Sequence, residues 1–227
     1  MPFSIAIDGP AGAGKSTIAR RTAKELNFIY VDTGAMYRAM ALFFLRKGIA
    51  PAETAQIERL CGAAQITIAH RGGEQRVLLD GEDVTAQLRE EAVGNMASAT
   101  SVNGCVRERL VALQRELAAQ TSVVMDGRDI GTVVLPQAQV KVYLTASVEV
   151  RAQRRFLELQ KKGEPAELSA IAAQIAERDH RDMTREISPL RQAEDAVLVD
   201  TSAMTIDEVV AEILRLYREK QTAAAER

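Results

Sequence analysis

Short apolar runs, separated by longer stretches of helical periodicity, set the rhythm of this chain. Five runs, at residues 4–7, 28–31, 123–125, 140–144 and 197–199, are continuous rather than alternating, the pattern of strands covered on both faces of a parallel sheet. Four of them are followed at once by a carboxylate, Asp8, Asp32, Asp126 and Asp200. Such residues mark the carboxyl edge, where open α/β sheets bind ligands, and we expect two of the four to serve function and two to serve structure. Helical spacing begins at Thr17 after the first run. It returns at the end of the chain in Ile206, Val209, Val210, Ile213, Leu214 and Tyr217, behind a Thr205-x-x-Glu208 capping box, and this last helix is expected to pack on the sheet. Residues 221–227 carry no apolar stripe and are expected to fray. One region breaks the rhythm: the apolar positions of 65–69 and 75–79 flank Arg71-Gly72-Gly73, which predicts an inserted β-hairpin.

Composition narrows the class. With 227 residues, 47% of them hydrophobic, the chain can bury one substantial core, so a single α/β domain with insertions is expected. Cys61 and Cys105 lie far apart without metal-ligand spacing and read as reduced thiols that pack rather than react. The start has no basic segment leading into a long apolar run, and no stretch has bilayer-spanning length, so a soluble cytoplasmic protein is expected. A net charge of −2 supplies no global field for nucleic acid or an anionic membrane. Affinity for phosphate must come from local clusters, and 22 Arg against 7 Lys favours forked guanidinium recognition.

The chemistry starts directly after the first run. Gly9-Pro10-Ala11-Gly12-Ala13-Gly14-Lys15-Ser16 is a complete GxxxxGKS loop between a predicted strand and a predicted helix. Its glycines let the N–H groups around Ala11, Ala13 and Thr17 converge on phosphate oxygens, Lys15 brings positive charge to the β and γ groups, and the Ser16 hydroxyl suits Mg²⁺. A nucleoside triphosphate site is therefore expected.

An acceptor side is spread over later segments. Asp32-Thr33-Gly34-Ala35-Met36-Tyr37-Arg38 opens a helix with a hydroxyl, a phenol and a guanidinium within two turns. Asp126-Gly127-Arg128-Asp129 follows the third run, where Asp126 can hold the water shell of Mg²⁺ and Arg128 can enter the same cleft. Arg151, Arg154 and Arg155, and later Arg178, Arg181, Asp182 and Arg185, place basic faces on two helices. Like charges at that spacing repel, so an anionic partner would offset the cost and the two helices are expected to form a lid.

The glycine-rich loop, the segment from Asp32 to Arg38, the segment from Asp126 to Val134 and the segment from Arg178 to Leu190 occur together in this order. In that combination the chain resembles the cytidylate kinases of bacteria, a branch of the nucleoside monophosphate kinases. The likeness spans nearly the whole length, and the region 61–89 resembles the extended monophosphate-binding insertion of that family. It implies a three-layer α/β P-loop kinase with a five-stranded parallel sheet, an insertion holding a small hairpin sheet, and a helical lid. Within a single domain of residues 1–227 it implies a core of 1–35, 106–147 and 188–227, a monophosphate-binding insertion of 36–105, and a lid with flanking helices of 148–187.

The resemblance also implies phosphoryl transfer from ATP, with Mg²⁺, to CMP or dCMP in a monomer serving small-molecule nucleotides. Residue by residue, Thr33, Tyr37 and Arg38 match the acceptor-binding segment, Ser98 and Arg107 match positions near the cytosine, and Arg128 and Asp129 match the segment after the third strand. Arg178, Asp182 and Arg185 match the helix that contacts sugar, phosphate and base. Lys15, Arg128, Arg154 and Arg178 are the expected neutralisers of charge on the transferring group, and Ser16 and Asp126 the expected metal-side residues. The alternatives are a related kinase acting on UMP, AMP or shikimate, or a nucleotide switch, although no Asn-Lys-x-Asp guanine-reading segment is present.

Overall fold

The computed structural model describes residues 2–71 and 74–225. Along the chain run β1 (Ser4–Asp8), α1 (Lys15–Leu26), β2 (Ile29–Asp32), α2 (Thr33–Arg46), α3 (Thr54–Leu60), β3 (Ile66–Arg71), β4 (Glu74–Leu79) and β5 (Glu82–Asp83). These are followed by α4 (Glu91–Thr100), α5 (Gly104–Gln120), β6 (Val123–Gly127), β7 (Val140–Thr145), α6 (Val148–Lys161), α7 (Leu168–Thr184), β8 (Val197–Asp200) and α8 (Ile206–Ala225). A single π-helical turn, Ile130–Val134, separates β6 from β7.

Five strands form one parallel sheet in the order β2-β6-β1-β7-β8, as the five apolar runs predict. β1 is central, and its Ile5, Ala6 and Ile7 are wholly buried, which is why those three positions between Ser4 and Asp8 are apolar. Helices cover both faces. Ala6, Val31, Met125 and the apolar faces of α2, α4 and α5 make one core cluster, while Ile5, Ile7, Val124, Val142 and Leu144 pack with α1 and α8 in the other. The resulting three layers are the architecture expected of a P-loop kinase.

The last helix packs as its stripe predicts. Glu208 and Thr205 exchange hydrogen bonds in the capping box, and Tyr217 stands edge-on to Phe3 and Phe28. Its end differs from expectation: α8 continues to Ala225 instead of fraying from 221, extended by Gln221 Nε2 on the Tyr217 hydroxyl at 2.9 Å and Thr222 on the Arg218 carbonyl. Residues 226 and 227 lie outside the described residues.

The inserted hairpin is present as β3 and β4, with Ile66 opposite Leu79 and His70 opposite Gln75. A third short strand, β5, extends it, which the pattern did not signal because a two-residue strand carries no periodicity. Its predicted turn residues Gly72 and Gly73 lie outside the described residues. The hairpin docks on the β2 edge through side chains: Gln75 Oε1 accepts from the Asp32 N–H at 2.8 Å, and His70 Nε2 meets the Tyr30 carbonyl at 3.0 Å.

The two cysteines differ from expectation. The end of α3 meets the start of α5, and Cys61 and Cys105, with Cα atoms 6.6 Å apart, form a disulfide. A gap of 44 residues in sequence is no measure of distance once helices fold back, so the free-thiol reading does not hold. Their packing role does hold, with Cys61 in the core and Cys105 against it.

Candidate active site

The glycine-rich loop joins the central strand to α1, and local sterics dictate its residues. Gly9 has φ +147°, and a Cβ there would lie 1.9 Å from the Leu144 carbonyl oxygen, so no side chain fits. Gly12 and Gly14 also have positive φ, the latter directly before the first helical residue, Lys15. The loop is braced from behind. Arg151 donates to the Ala11 carbonyl at 2.9 Å, and Thr201 reaches the Ala13 carbonyl at 3.5 Å.

Lys15 is buried, and its ammonium donates to the Pro10 carbonyl at 2.7 Å. Burial, and then the nearby Arg128 charge, push its pKa down to about 7 against the pull of Asp126 and Asp8. An anion in the loop would restore its charge. Asp126, at the end of β6, accepts from the Ser16 hydroxyl on one oxygen and the Tyr30 phenol on the other, both at 2.9 Å. Burial, and next the Asp32 charge, raise this carboxyl to about 6. Tyr30 escaped the sequence reading because its place in a buried run reads as core.

On the acceptor side, Asp32 caps α2 by accepting the Ala35 N–H at 2.8 Å and holds Arg38 at 3.2 Å. The Thr33 hydroxyl donates to the Asp126 carbonyl at 2.7 Å, tying the start of α2 to β6. Gly127 is required between them, since a Cβ would lie 2.6 Å from Ile130 Cδ1 and 2.8 Å from Thr33 Oγ1. Arg107 and Asp129 form a buried ion pair, with the Arg107 guanidinium 5.8 Å above the Tyr37 ring. Burial raises the Tyr37 phenol to about 12, so it stays a neutral donor. Ser98 is half-buried on α4, where its carbonyl accepts from the Ser101 hydroxyl at 2.9 Å.

The helix α7 is tied to the end of β6 and to α6 by ion pairs. Arg128 Nε donates to Asp182 at 2.8 Å. Arg178 projects on the exposed side of α7, yet partial removal from water and the like charge of Arg128 both lower its pKa. Arg185, just past the helix, donates Nε to the Ser188 carbonyl at 2.6 Å, while its Nη2 is buried without a partner among the described residues. Burial lowers its pKa, and Asp129, Arg107, Asp182 and Tyr37 all act on it electrostatically, so these residues share one neighbourhood. Lys15, Arg128 and Arg178 likewise influence one another across the cleft.

The first basic face is not the open anion surface expected. Arg151 is buried, held by the Ala146 and Ala11 carbonyls and by Asp179 of α7 at 2.5 Å. Arg155 pairs with Glu158. Arg154 donates to the Thr201 carbonyl at 2.6 Å and hydroxyl at 3.2 Å, beside Asp200, rather than standing with Lys15, Arg128 and Arg178. Helical spacing puts these side chains on one face, but it does not reveal the carbonyls of neighbouring loops that occupy them.

Among the described residues no group of three or more His, Cys, Asp or Glu could by itself hold a metal. No helix of the described residues is long and apolar enough to cross a membrane.

Comparison with known proteins gives the family. The sequence model of the family described as Cytidylate kinase matches residues 5–219. The cytidylate kinase of Caldicellulosiruptor bescii is 50% identical over 215 residues, covering 95% of each chain, and that of Enterococcus faecalis is 49% identical over 218 residues, covering 96% of each. A gluconokinase structure from Sinorhizobium meliloti shares the fold with a TM-score of 0.50 at 17% identity, covering 99% of this chain and 97% of that one. With a glycine-rich loop facing an arginine–aspartate pocket across one sheet edge, and with relatives of this similarity over nearly the full length, the chain belongs to the cytidylate kinase family.

Proposed function

We propose that the chain transfers the γ-phosphoryl group of ATP to CMP or dCMP, giving ADP and CDP or dCDP. The observation that carries the reading is the pocket of Arg107, Asp129 and Arg185 beside Tyr37, in which a buried Arg185 Nη2 awaits an acceptor. Cytosine offers acceptors at O2 and N3 and a donor at N4, which suits guanidinium on one edge and Asp129 or Ser98 on the other. Uracil inverts N3 and position 4, leaving mismatched buried groups at about 1–3 kcal/mol each.

In this assignment Gly9, Ala11, Gly12, Ala13, Gly14 and Thr17 cradle the triphosphate, and Lys15, Arg128 and Arg178 neutralise charge on the group in transfer. Thr33, Tyr37, Arg38, Asp182 and Arg185 hold the monophosphate nucleotide. Arg154, occupied by Thr201, braces the donor loop. In-line transfer asks for positioning and charge neutralisation rather than covalent help from the protein.

Ser16 and Asp126 would hold Mg²⁺. A hydroxyl beside a buried carboxylate whose pKa is raised fits a small hard cation, which takes one or two protein oxygens and completes its shell with water and phosphate. Bound there, Mg²⁺ would neutralise negative charge on the phosphate groups.

The division into core (1–35, 106–147, 188–227), insertion (36–105) and lid (148–187) follows the same reading, as does a cytoplasmic monomer acting on small-molecule nucleotides. An acceptor panel with ATP and Mg²⁺ tests it: CMP and dCMP should be turned over, with AMP and shikimate near background. Preferential turnover of AMP or shikimate would contradict the assignment.

A further inference from the structure

Asp8 is 5% exposed at the end of the central strand, and the transfer mechanism gives it no task. Its carboxylate oxygens accept one hydrogen bond each from the Ile130 and Gly131 N–H groups, both at 2.7 Å. Those amides open the single π-helical turn whose preceding residue is Asp129. The other end of the turn is held by opposite charge. Arg115 donates Nη2 to the Val133 carbonyl at 2.7 Å and Nε to the Val134 carbonyl at 3.0 Å, and Lys141 donates to the Pro136 carbonyl at 2.6 Å.

An anion on the free amides and cations on the free carbonyls satisfy the backbone groups that one isolated turn leaves open, and they follow the sense of its dipole. The fit is close, since a Cβ on Gly131 would stand 3.2 Å from Lys141 Cδ and 3.4 Å from Asp8 Oδ2. The seat is also costly. Burial outweighs both amide bonds, the Asp129 charge adds to the cost, and the Lys15 charge offsets part of it. A buried charge retained against its own desolvation points to a task other than stability.

We infer that Asp8 is a positioning residue for the acceptor base: by clamping the Ile130 and Gly131 amides, with Arg115 at the far end, it sets where Asp129 and its partner Arg107 stand toward cytosine. The inference rests on the proposed role of Asp129 and deepens it. Asp8 also adjoins Gly9, so the rival explanation is an effect on the triphosphate loop. The two predict different kinetic signatures.

The experiment compares Asp8→Asn and Arg115→Ala with wild type and Asp129→Ala, measuring KM for CMP, KM for ATP and the CMP-to-UMP ratio of kcat/KM. Arg115 is exposed and far in sequence from the loop, so its variant tests the clamp even if Asp8→Asn does not fold. Asp8→Asn is expected to raise KM for CMP about tenfold and to lower the CMP-to-UMP ratio, with KM for ATP within about twofold of wild type. Arg115→Ala should move the same two quantities in the same direction by less. A rise confined to KM for ATP, or an unchanged CMP-to-UMP ratio in the folded variants, would overturn the inference. An unchanged ratio in Asp129→Ala itself would instead overturn the base-recognition reading beneath it.

Discussion

Arg128 Nε and an Asp182 carboxylate oxygen meet at 2.8 Å, joining the end of β6 to α7 with both side chains largely removed from water. This contact couples the sheet edge to that helix. Arg128 also lies beside Lys15 and Arg178, so Asp182 is the carboxylate that offsets their mutual repulsion on the α7 side.

Removing that carboxylate should therefore injure acceptor use more than folding. Asp182→Ala is expected to lower kcat/KM for CMP by about 10- to 100-fold while the circular dichroism spectrum stays that of wild type. Steady-state kinetics at saturating ATP checks this, and a kcat/KM within twofold of wild type would contradict it.

Lys15→Ala should reduce turnover by about 10³-fold or more, because the charge nearest the transferring group is lost. Folding should not suffer. The native ammonium is disfavoured by burial, with its pKa near 7 against an ordinary 10.5, so between those values the unfolded chain binds more protons. Wild-type stability then gains from this group as pH rises. The Tm advantage of Lys15→Ala should be largest at or below pH 7 and shrink toward pH 10, as differential scanning fluorimetry across that range would show.

Asp8 gives the opposite slope. Burial raises its pKa from 3.8 to about 6, outweighing the Ile130 and Gly131 amides and the Lys15 charge, so in that window the native state binds the extra proton. Wild type therefore loses this contribution as pH rises from about 4 to 7. The Tm of Asp8→Asn minus that of wild type should become more positive over that interval, and a flat difference would show that Asp8 keeps an ordinary pKa.

Much of this was readable from residue order because it depends on local rules. A continuous apolar run can only be a covered strand or a buried helix segment, and the glycines of the loop are imposed by close approach and positive φ, as at Gly9. The Thr205–Glu208 box spans three residues and needs no distant partner. What escaped were contacts that close long loops. Arg151 looked like a surface cation until the Ala11 carbonyl and Asp179 were brought to it, and Cys61 looked like a free thiol until α5 came alongside. Asp8 was visible as a strand-end carboxylate, but its partners are main-chain amides 122 and 123 residues away, which no side-chain pattern records.

The central claim is that a cytosine nucleotide docks against Asp129, Arg107 and Arg185 opposite the triphosphate loop. The most direct measurement is kcat/KM for CMP against UMP with saturating ATP and Mg²⁺. Two mismatched buried groups predict a preference for CMP of roughly 30-fold or more, whereas equal values for the two acceptors would contradict the account.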